Sequence, residues 1–175
     1  LTVLILPQGT IFLTDTHVNL DPTAEQLAEM TVLAADQIRR FGITPRVALV
    51  SHSNFGASNL ASAVKMRKVH ELLTDMNVDF DFEGEMQGDA ALNEHIRLND
   101  MPSSPLKGAA NLLILPTLDA SNIAFNLLKT ATSSASIGPI LLGTNKPVHI
   151  LTPSATARGI VNMTALTVTE AQDLE

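Results

Sequence analysis

Short apolar runs alternate along the chain with longer stretches in which apolar residues recur every three or four positions. The first pattern is typical of strands with a buried face, and the second is typical of amphipathic helices. The runs predict strands at residues 1–6, 11–14, 46–51, 79–85, 111–116 and 148–151. The helical spacing predicts helices at residues 22–41, 61–73, 89–98, 119–129 and 155–170. Since strands and helices alternate with short connections, we expect an α/β fold in which helices cover a sheet.

Capping and turn residues set the predicted ends of these elements. Asp21 is the predicted N-cap of the first helix, Pro22 occupies its first position, and Gly42 ends it. Two segments without a periodic pattern are predicted to be loops, residues 99–107 and the small-residue stretch 130–136.

The composition excludes several classes of function. The chain has 175 residues and a formal net charge of −7, which argues against nucleic acid or an anionic membrane surface as partner. It contains no Cys, so disulfides, Cys-based metal sites and thiol catalysis are excluded. No apolar run approaches a membrane span, and the opening LTVLILP lacks the basic flank of a signal peptide. We therefore expect a cytoplasmic protein, and the start at Leu1 leads us to expect part of a longer polypeptide.

The segment from Arg46 to Ser58 is the most suggestive local feature. A buried strand runs into a turn of Ser, Asn and Gly residues, and a helix follows. Such a turn presents N–H groups and hydroxyls that favour phosphate or another anion. The spacing matches neither a Walker A loop nor GxGxxG, so ordinary strand-to-helix turn chemistry is the alternative. Ser51-His52-Ser53 lies here as well, where a capping or hydrogen-bonding role is favoured over a Ser–His nucleophile.

Other groups of polar residues favour structural interpretations. The densest cluster of acids comprises Asp79, Asp81, Glu83, Glu85 and Asp89. The period-two spacing within this cluster predicts the water-facing side of an edge strand rather than a Mg²⁺ or Ca²⁺ site. The histidines show no metal-binding spacing, and His149 is predicted to be a hydrogen-bonded core residue. Gly138 and Gly143 bracket a constrained turn that either admits a ligand closely or is turn chemistry alone. We predict no metal site.

Several segments, taken in order, carry a resemblance to a known family. They are FLTDT at 12–16, DPTAEQLAE at 21–29, VALVSHSNFGAS at 47–58, GEMQGDAAL at 84–92, ANLLILPTLDASNIAFNLLK at 110–129 and GPILLGTNKPVHILTPSATARGIVNM at 138–163. In this order they resemble the phosphate acetyltransferase/phosphate butyryltransferase family over almost the whole chain. More narrowly, SHSNFG, KPVHIL and TARGIVNM resemble the variant fused to the C-terminus of bacterial NADP-dependent malic enzymes.

The resemblance implies a three-layer α/β/α fold of the isocitrate/isopropylmalate dehydrogenase-like class, as in phosphotransacetylases. It implies two subdomains with a coenzyme A cleft between them. Residues 1–146 would form the second subdomain, and residues 147–175 would return to the first, the rest of which is absent from this sequence. The resemblance also implies an acetyl-CoA-sensing part that regulates a malate-decarboxylating part and assists oligomerisation. We therefore expect no cofactor in this fragment, and NADP and Mg²⁺ or Mn²⁺ only in the malic-enzyme part.

The chain departs from the family pattern at positions that matter for catalysis. Active acetyltransferases of the family carry Ser-Arg-Gly where residues 152–154 read Thr-Pro-Ser. A later family Asp falls near Gly159, and a further family Arg appears as Thr130. Losing a guanidinium that stabilises phosphate and oxyanion should lower the rate on the order of 10²-fold or more. We therefore expect no catalytic residues and little or no phosphotransacetylase turnover, while ligand binding survives.

These observations lead to one hypothesis and two alternatives. The hypothesis is a regulatory acetyl-CoA-binding and oligomerisation domain of an NADP-dependent malic enzyme, with acetyl-CoA or CoA as effector and a homodimer or larger homo-oligomer as its assembly. The alternatives are an active phosphate acetyltransferase and a purely structural oligomerisation module. The predicted ligand contacts are Ser51, Ser53, Asn54, Gly56, Ser58, Gly138, Thr152, Thr156 and Arg158.

Overall fold

The computed structural model describes residues 1–151, 153 and 155–173. Within these residues one mixed sheet contains the strands β1 (Thr2–Leu6), β2 (Gly9–Thr14), β3 (Arg46–Val50), β4 (Asp81–Met86), β5 (Leu112–Ile114) and β6 (Ala135–Ile137). Their order across the sheet is β4-β3-β5-β2-β1-β6. β4, β3, β5 and β2 are parallel, whereas β1 is antiparallel to both β2 and β6. β6 therefore runs in the same direction as β2, and every strand except β1 ends at the same edge.

Helices cover both faces of the sheet. They are α1 (Ala24–Arg40), α2 (Ala61–Asp75), α3 (Gly88–Leu92), α4 (Glu94–Asp100), α5 (Leu118–Ala131) and α6 (Ala157–Gln172). On one face, α1, α2 and α6 share an apolar cluster with strand residues such as Phe12 and Leu49. On the other face, α3, α4 and α5 share a second cluster with residues such as Leu13 and Leu113. The alternation of side chains along each strand therefore builds two cores, and the predicted three-layer α/β/α arrangement is confirmed.

Helix α1 begins two residues later than predicted. Its N-cap is Thr23, whose hydroxyl accepts the backbone N–H of Gln26, while the Gln26 side chain accepts the N–H of Thr23. This reciprocal pair is a capping box, which satisfies two backbone donors at once. Asp21, the predicted N-cap, instead binds the Lys65 ammonium at 2.6 Å. The prediction was wrong because Asp21 finds its partner on another helix.

The predicted helix at 89–98 is two short helices. α3 ends at Leu92 and α4 begins at Glu94, with an extended residue, Asn93, between them. The Asn93 side chain accepts the backbone N–H groups of His95 and Ile96, so it caps α4. An Asn that bonds its neighbouring backbone in this way competes with continued helix, which explains the break.

Strand β4 does not present its acids to water as predicted. Glu83 and Glu85 are buried, with 7% and 0% of their surface exposed. Helix α2 lies against this edge strand and supplies their partners: His70 Nε2 lies 3.6 Å from Glu83 Oε1, and Arg67 Nη1 lies 2.9 Å from Glu85 Oε1. Of the other acids in this group, Asp79 and Asp81 at its start and Asp89 at its end are exposed. The edge is covered by a helix, and Glu83 and Glu85 are paired with that helix rather than solvated.

The chain after α5 also differs from the prediction. Strand β6 lies partly inside the predicted loop 130–136. It is a strand because it pairs with β1, for example with Ile137 opposite Val3, whereas its small residues alone do not predict a strand. The predicted strand 148–151 is not a strand. Val148 and Ile150 are 48% and 66% exposed, since no strand lies beside them within the described part of the chain. None of the described helices is both long and apolar enough to cross a bilayer.

Candidate functional site

The carboxyl edge of the sheet carries the segments that build the candidate site. In open α/β sheets, ligands bind in the crevice outside the carboxyl ends of the strands. Here that edge receives the loop after β2, the Ser-Asn-Gly turn after β3, and the segment after β6. Both predicted groups of ligand contacts therefore start from the same edge.

A cavity of about 350 Å³ lies at this edge, between the loop after β2, helix α1 and the segment after β6. Most of its wall is apolar and includes Met30, Leu33, Ile140, Leu141, Leu142 and Ile150. The polar side chains in the wall come from the last residue of β2 and the loop that follows it, and comprise Thr14, Asp15, His17 and Asn19. An apolar pocket with a few polar groups on one side is typical of a small-molecule site.

The loop after β2 is folded around the Asp15 carboxylate. Its two oxygens accept the backbone N–H groups of His17, Val18 and Asn19 at 2.9, 3.1 and 2.7 Å, and also the Asn19 side-chain amide at 2.8 Å. Burial raises the pKa of Asp15, but these hydrogen bonds lower it by more, so its pKa lies below the ordinary carboxyl range. Asp15 is therefore ionised at neutral pH and fixes the shape of the loop.

Helix α5 and strand β1 anchor the same loop. The Ser121 hydroxyl donates to the Thr14 carbonyl at 2.7 Å, and the Asn122 side chain donates to the Thr16 carbonyl at 3.1 Å. The Thr16 hydroxyl lies 2.6 Å from the Thr2 hydroxyl and 2.7 Å from His17 Nδ1. His17 is thus tied to the sheet through two threonines and stands in the cavity wall.

The turn after β3 is organised by a buried carboxylate from β4. Glu85 Oε1 accepts the Ser53 hydroxyl, the Gly56 N–H and Arg67 Nη1, each at 2.9 Å. The donors that suggested an anion site therefore already hold an anionic side chain of the chain itself. Ser51, the first predicted contact, is buried, and its hydroxyl has no hydrogen-bond partner among the described residues.

The remaining polar residues of the turn also bond within the protein. Asn54 donates to Asp100 at 2.7 Å and accepts the Gln87 backbone N–H at 2.7 Å. Ser58 lies 3.0 Å from His52 Nε2, and His52 Nδ1 lies 3.3 Å from the Ser62 hydroxyl. His52 therefore bonds Ser58 and Ser62 rather than Ser51 or Ser53. The hydrogen-bonding role predicted for this segment is confirmed for His52 and Ser53, but not for Ser51.

The other predicted contacts follow β6. Gly138 has φ +121°, and a Cβ there would lie 3.2 Å from the Leu1 carbonyl oxygen, so this glycine permits close approach to β1. Thr156 is the N-cap of α6 and accepts the Gly159 N–H at 3.1 Å. Arg158 is exposed on the first turn of α6. Thr152 lies outside the described residues, and a ligand contact at each of these positions stays a prediction.

The structure separates the predicted contacts into two groups along one edge. Four strand spacings lie between β3 and β6, which corresponds to about 19 Å. Only an elongated ligand would reach both the turn after β3 and the region of Gly138.

The cavity lies at the Gly138 end, and the loop residues Asp15, His17 and Asn19 were not among the predicted contacts. The sequence did contain a pattern that could have identified this loop: FLTDT at 12–16 includes Asp15, and Asn19 follows it, a combination typical of an ordered loop.

His149 makes an internal pair with Glu170. His149, predicted to be a hydrogen-bonded core residue, accepts the Leu141 N–H at 3.2 Å and lies 2.9 Å from Glu170 Oε2, which confirms that prediction. Within the described residues, no three His, Asp or Glu side chains come close enough to hold a metal ion.

Comparisons with known proteins agree with this architecture. The family model described as phosphate acetyl/butaryl transferase matches residues 1–168. The NADP-dependent malic enzyme of Salmonella typhimurium is 56% identical over 173 residues, which are 98% of this chain and 23% of that protein. The NAD-dependent malic enzyme of Rhizobium meliloti is 53% identical over 171 residues, 98% of this chain and 22% of that protein.

A solved structure gives the same result for the fold. A phosphotransacetylase from Streptococcus pyogenes superposes with a TM-score of 0.92 at 31% identity, covering 98% of this chain and 54% of that one. The chain therefore belongs to the phosphate acetyl/butaryl transferase family, and its fold is that of the phosphotransacetylases. It spans less than a quarter of the length of the malic enzymes that it matches.

Proposed function

We propose that this chain is the acetyl-CoA-binding regulatory and oligomerisation part of a cytoplasmic NADP-dependent malic enzyme. In this proposal the malic-enzyme part, with NADP and Mg²⁺ or Mn²⁺, lies outside the present sequence. Residues 1–146 form one subdomain of the phosphotransacetylase-like part, and residues 147–175 return to the other. Identity above half with the malic enzymes supports the parentage.

The observation that carries the proposal is the cavity beside the loop after β2. Its wall is largely apolar, and none of the described lining residues is Lys or Arg. Such a space suits the acyl and pantetheine end of an acyl-CoA, while the charged phosphates would extend along the edge toward solvent. Binding there would contact α1, β2 and the segment after β6 together, so a ligand could favour one arrangement of these elements over another.

The alternative is an active phosphate acetyltransferase, which the likeness to a solved phosphotransacetylase favours. Pro153, an exposed turn residue, stands where the family resemblance expects an arginine. Proline has neither a charge nor a backbone N–H, so it cannot bind phosphate or an oxyanion. Acetyl phosphate formed from acetyl-CoA and inorganic phosphate above the background rate would support this alternative.

Isothermal titration of this chain with acetyl-CoA tests the proposal. We expect saturable binding, and we expect Val18→Glu to weaken it about tenfold, because Val18 lines the cavity and a carboxylate there would lose its water when the uncharged acyl and pantetheine end binds. Met76→Glu, at another exposed apolar position that follows α2 as its C-cap, is the control and should change nothing. Absence of binding, or equal weakening by both variants, would contradict the proposed site.

A further inference from the structure

His17 combines a fixed position with a place in the cavity wall. Its backbone N–H is held by Asp15 at 2.9 Å, and its Nδ1 lies 2.7 Å from the Thr16 hydroxyl. Its ring meets the Phe125 ring edge-on, with the centroids 6.5 Å apart. His17 is exposed as a whole, but partial burial of its ring lowers the pKa of His17, so the imidazole is neutral at pH 7. Nε2 has no hydrogen-bond partner within the described part of the chain.

The threonine chain determines which ring nitrogen carries the proton. Thr2 is 2% exposed, and its hydroxyl has Thr16 as its side-chain partner among the described residues. If Thr2 donates to Thr16 and Thr16 donates to Nδ1, every hydroxyl proton has an acceptor. The reverse direction leaves the buried Thr2 proton without one, at a cost in free energy. The favoured tautomer therefore carries its proton on Nε2, and His17 is a hydrogen-bond donor.

The other residues of the cavity wall limit which ligand group can accept a hydrogen bond from His17. The neighbouring Asp15 is ionised, and no Lys or Arg lies among the described lining residues, which disfavours a phosphate at this position. A neutral oxygen acceptor attached to an apolar group fits both the donor and the wall. A thioester carbonyl next to a short alkyl group has this chemistry, and the free thiol of CoA lacks the carbonyl.

We propose that His17 Nε2–H donates to the carbonyl oxygen of an acyl thioester, so that the cavity distinguishes acetyl-CoA from free CoA. This inference rests on the proposed acetyl-CoA function and assigns its selectivity to one side chain. A single hydrogen bond from a neutral donor to a carbonyl oxygen corresponds to a preference of about fivefold to tenfold. Asp15, Thr16 and Thr2 are then positioning residues, because they orient the imidazole.

The test is titration of this chain with acetyl-CoA and, separately, with free CoA. His17→Ala should lower the affinity for acetyl-CoA about fivefold or more and leave the affinity for CoA nearly unchanged. His17→Gln, whose amide N–H reaches a similar position to Nε2–H, should retain most of the preference. His95→Gln on the exposed side of α4 is the matched control and should behave as the wild type.

The outcomes separate this inference from the function on which it rests. Wild-type preference for acetyl-CoA that disappears in His17→Ala and returns in His17→Gln supports it. Equal wild-type affinity for acetyl-CoA and CoA, or equal loss of both in His17→Ala, overturns the role of His17 and leaves acyl-CoA binding standing. A wild-type chain that binds neither ligand overturns both.

Discussion

Glu85 accepts the hydrogen-bond donors of the turn after β3 that, in the sequence, suggested an anion site. The Ser-Asn-Gly turn offers donors that look available from the sequence, but Ser53 and Gly56 both donate to Glu85, which is fully buried and also paired with Arg67. The sequence of the turn shows these hydrogen-bond donors, but it does not show their acceptor, which lies about 30 residues later in the chain. The turn is thereby held rigid beside the carboxyl edge, and a ligand that reaches it would meet a preformed surface.

Asp15 carries a pH-dependent prediction. Its pKa lies below the ordinary range, so it stabilises the folded state above the unfolded-state pKa of about 3.9, and this contribution is lost as the pH falls through the lower folded-state pKa. We expect Asp15→Asn to lower the free energy of unfolding by about 2 kcal/mol at pH 7, because hydrogen bonds to a charged acceptor weaken. The difference from wild type should shrink toward pH 3 in urea titrations.

Asp75→Asn provides the comparison for that experiment. Asp75 is exposed at the end of α2, so its replacement should leave the stability nearly unchanged at pH 7 and at pH 3. A difference between wild type and Asp15→Asn that stays constant from pH 7 to pH 3 would show that the Asp15 charge does not hold the loop.

At the scale of elements, β4 depends on a glycine. Gly84 has φ +144°, and a Cβ there would lie 2.6 Å from the Leu49 carbonyl oxygen of β3 and 2.7 Å from the Leu49 Cβ. Real side chains do not approach this closely, and L-residues rarely adopt this φ. We expect Gly84→Ala to destabilise the protein by about 3 kcal/mol, measured by urea unfolding, because β4 must move away from β3.

Gly88 is the matched position for that substitution. It begins α3, and a Cβ there meets nothing within 4 Å. Gly88→Ala should therefore leave the stability unchanged or raise it by about 0.5 kcal/mol. Equal effects of the two substitutions would mean that the close approach of β4 to β3 does not limit residue 84.

At the scale of the whole molecule, one exposed apolar surface bears on the oligomerisation part of the proposal. Ile123 and Leu127 lie one turn apart on α5 and are 58% and 65% exposed. Apolar side chains at successive turns of a helix are typical of a surface that packs on another copy. We expect a homodimer in sedimentation equilibrium and at least a tenfold weaker association for Leu127→Glu.

Met76→Glu serves as the control for that measurement as well, because it adds the same charge at an exposed apolar position on the opposite face of the sheet from α5. A monomeric wild type, or the same dissociation constant for wild type and Leu127→Glu, would contradict this interface. Loss of association without loss of acetyl-CoA binding would show that the two parts of the proposed function are separable.

The amino-acid sequence by itself determined the order of most elements and the α/β class, whereas the three-layer arrangement was implied by the resemblance to a known family. Strand and helix periodicities are local: the spacing of apolar residues around Leu27 in α1 and Leu49 in β3 shows which face of each element is buried. It also carried the ordered motifs that the family model confirms. The predictions from local pattern were wrong where a contact with a distant segment determines the structure. Asp21 binds Lys65 instead of capping α1, and residues Ala135–Ile137 form a strand because they pair with β1.

Only the tertiary structure decided which side chains form the candidate site. The cavity exists because the loop after β2, α1 and the segment after β6 converge, and no local pattern encodes that convergence. The same holds for the pairing of Glu85 with the turn after β3, and for the hydroxyl chain that orients His17. Hydrogen bonds act over about 3 Å in space whatever the separation in sequence, so the folded chain alone determines these partners.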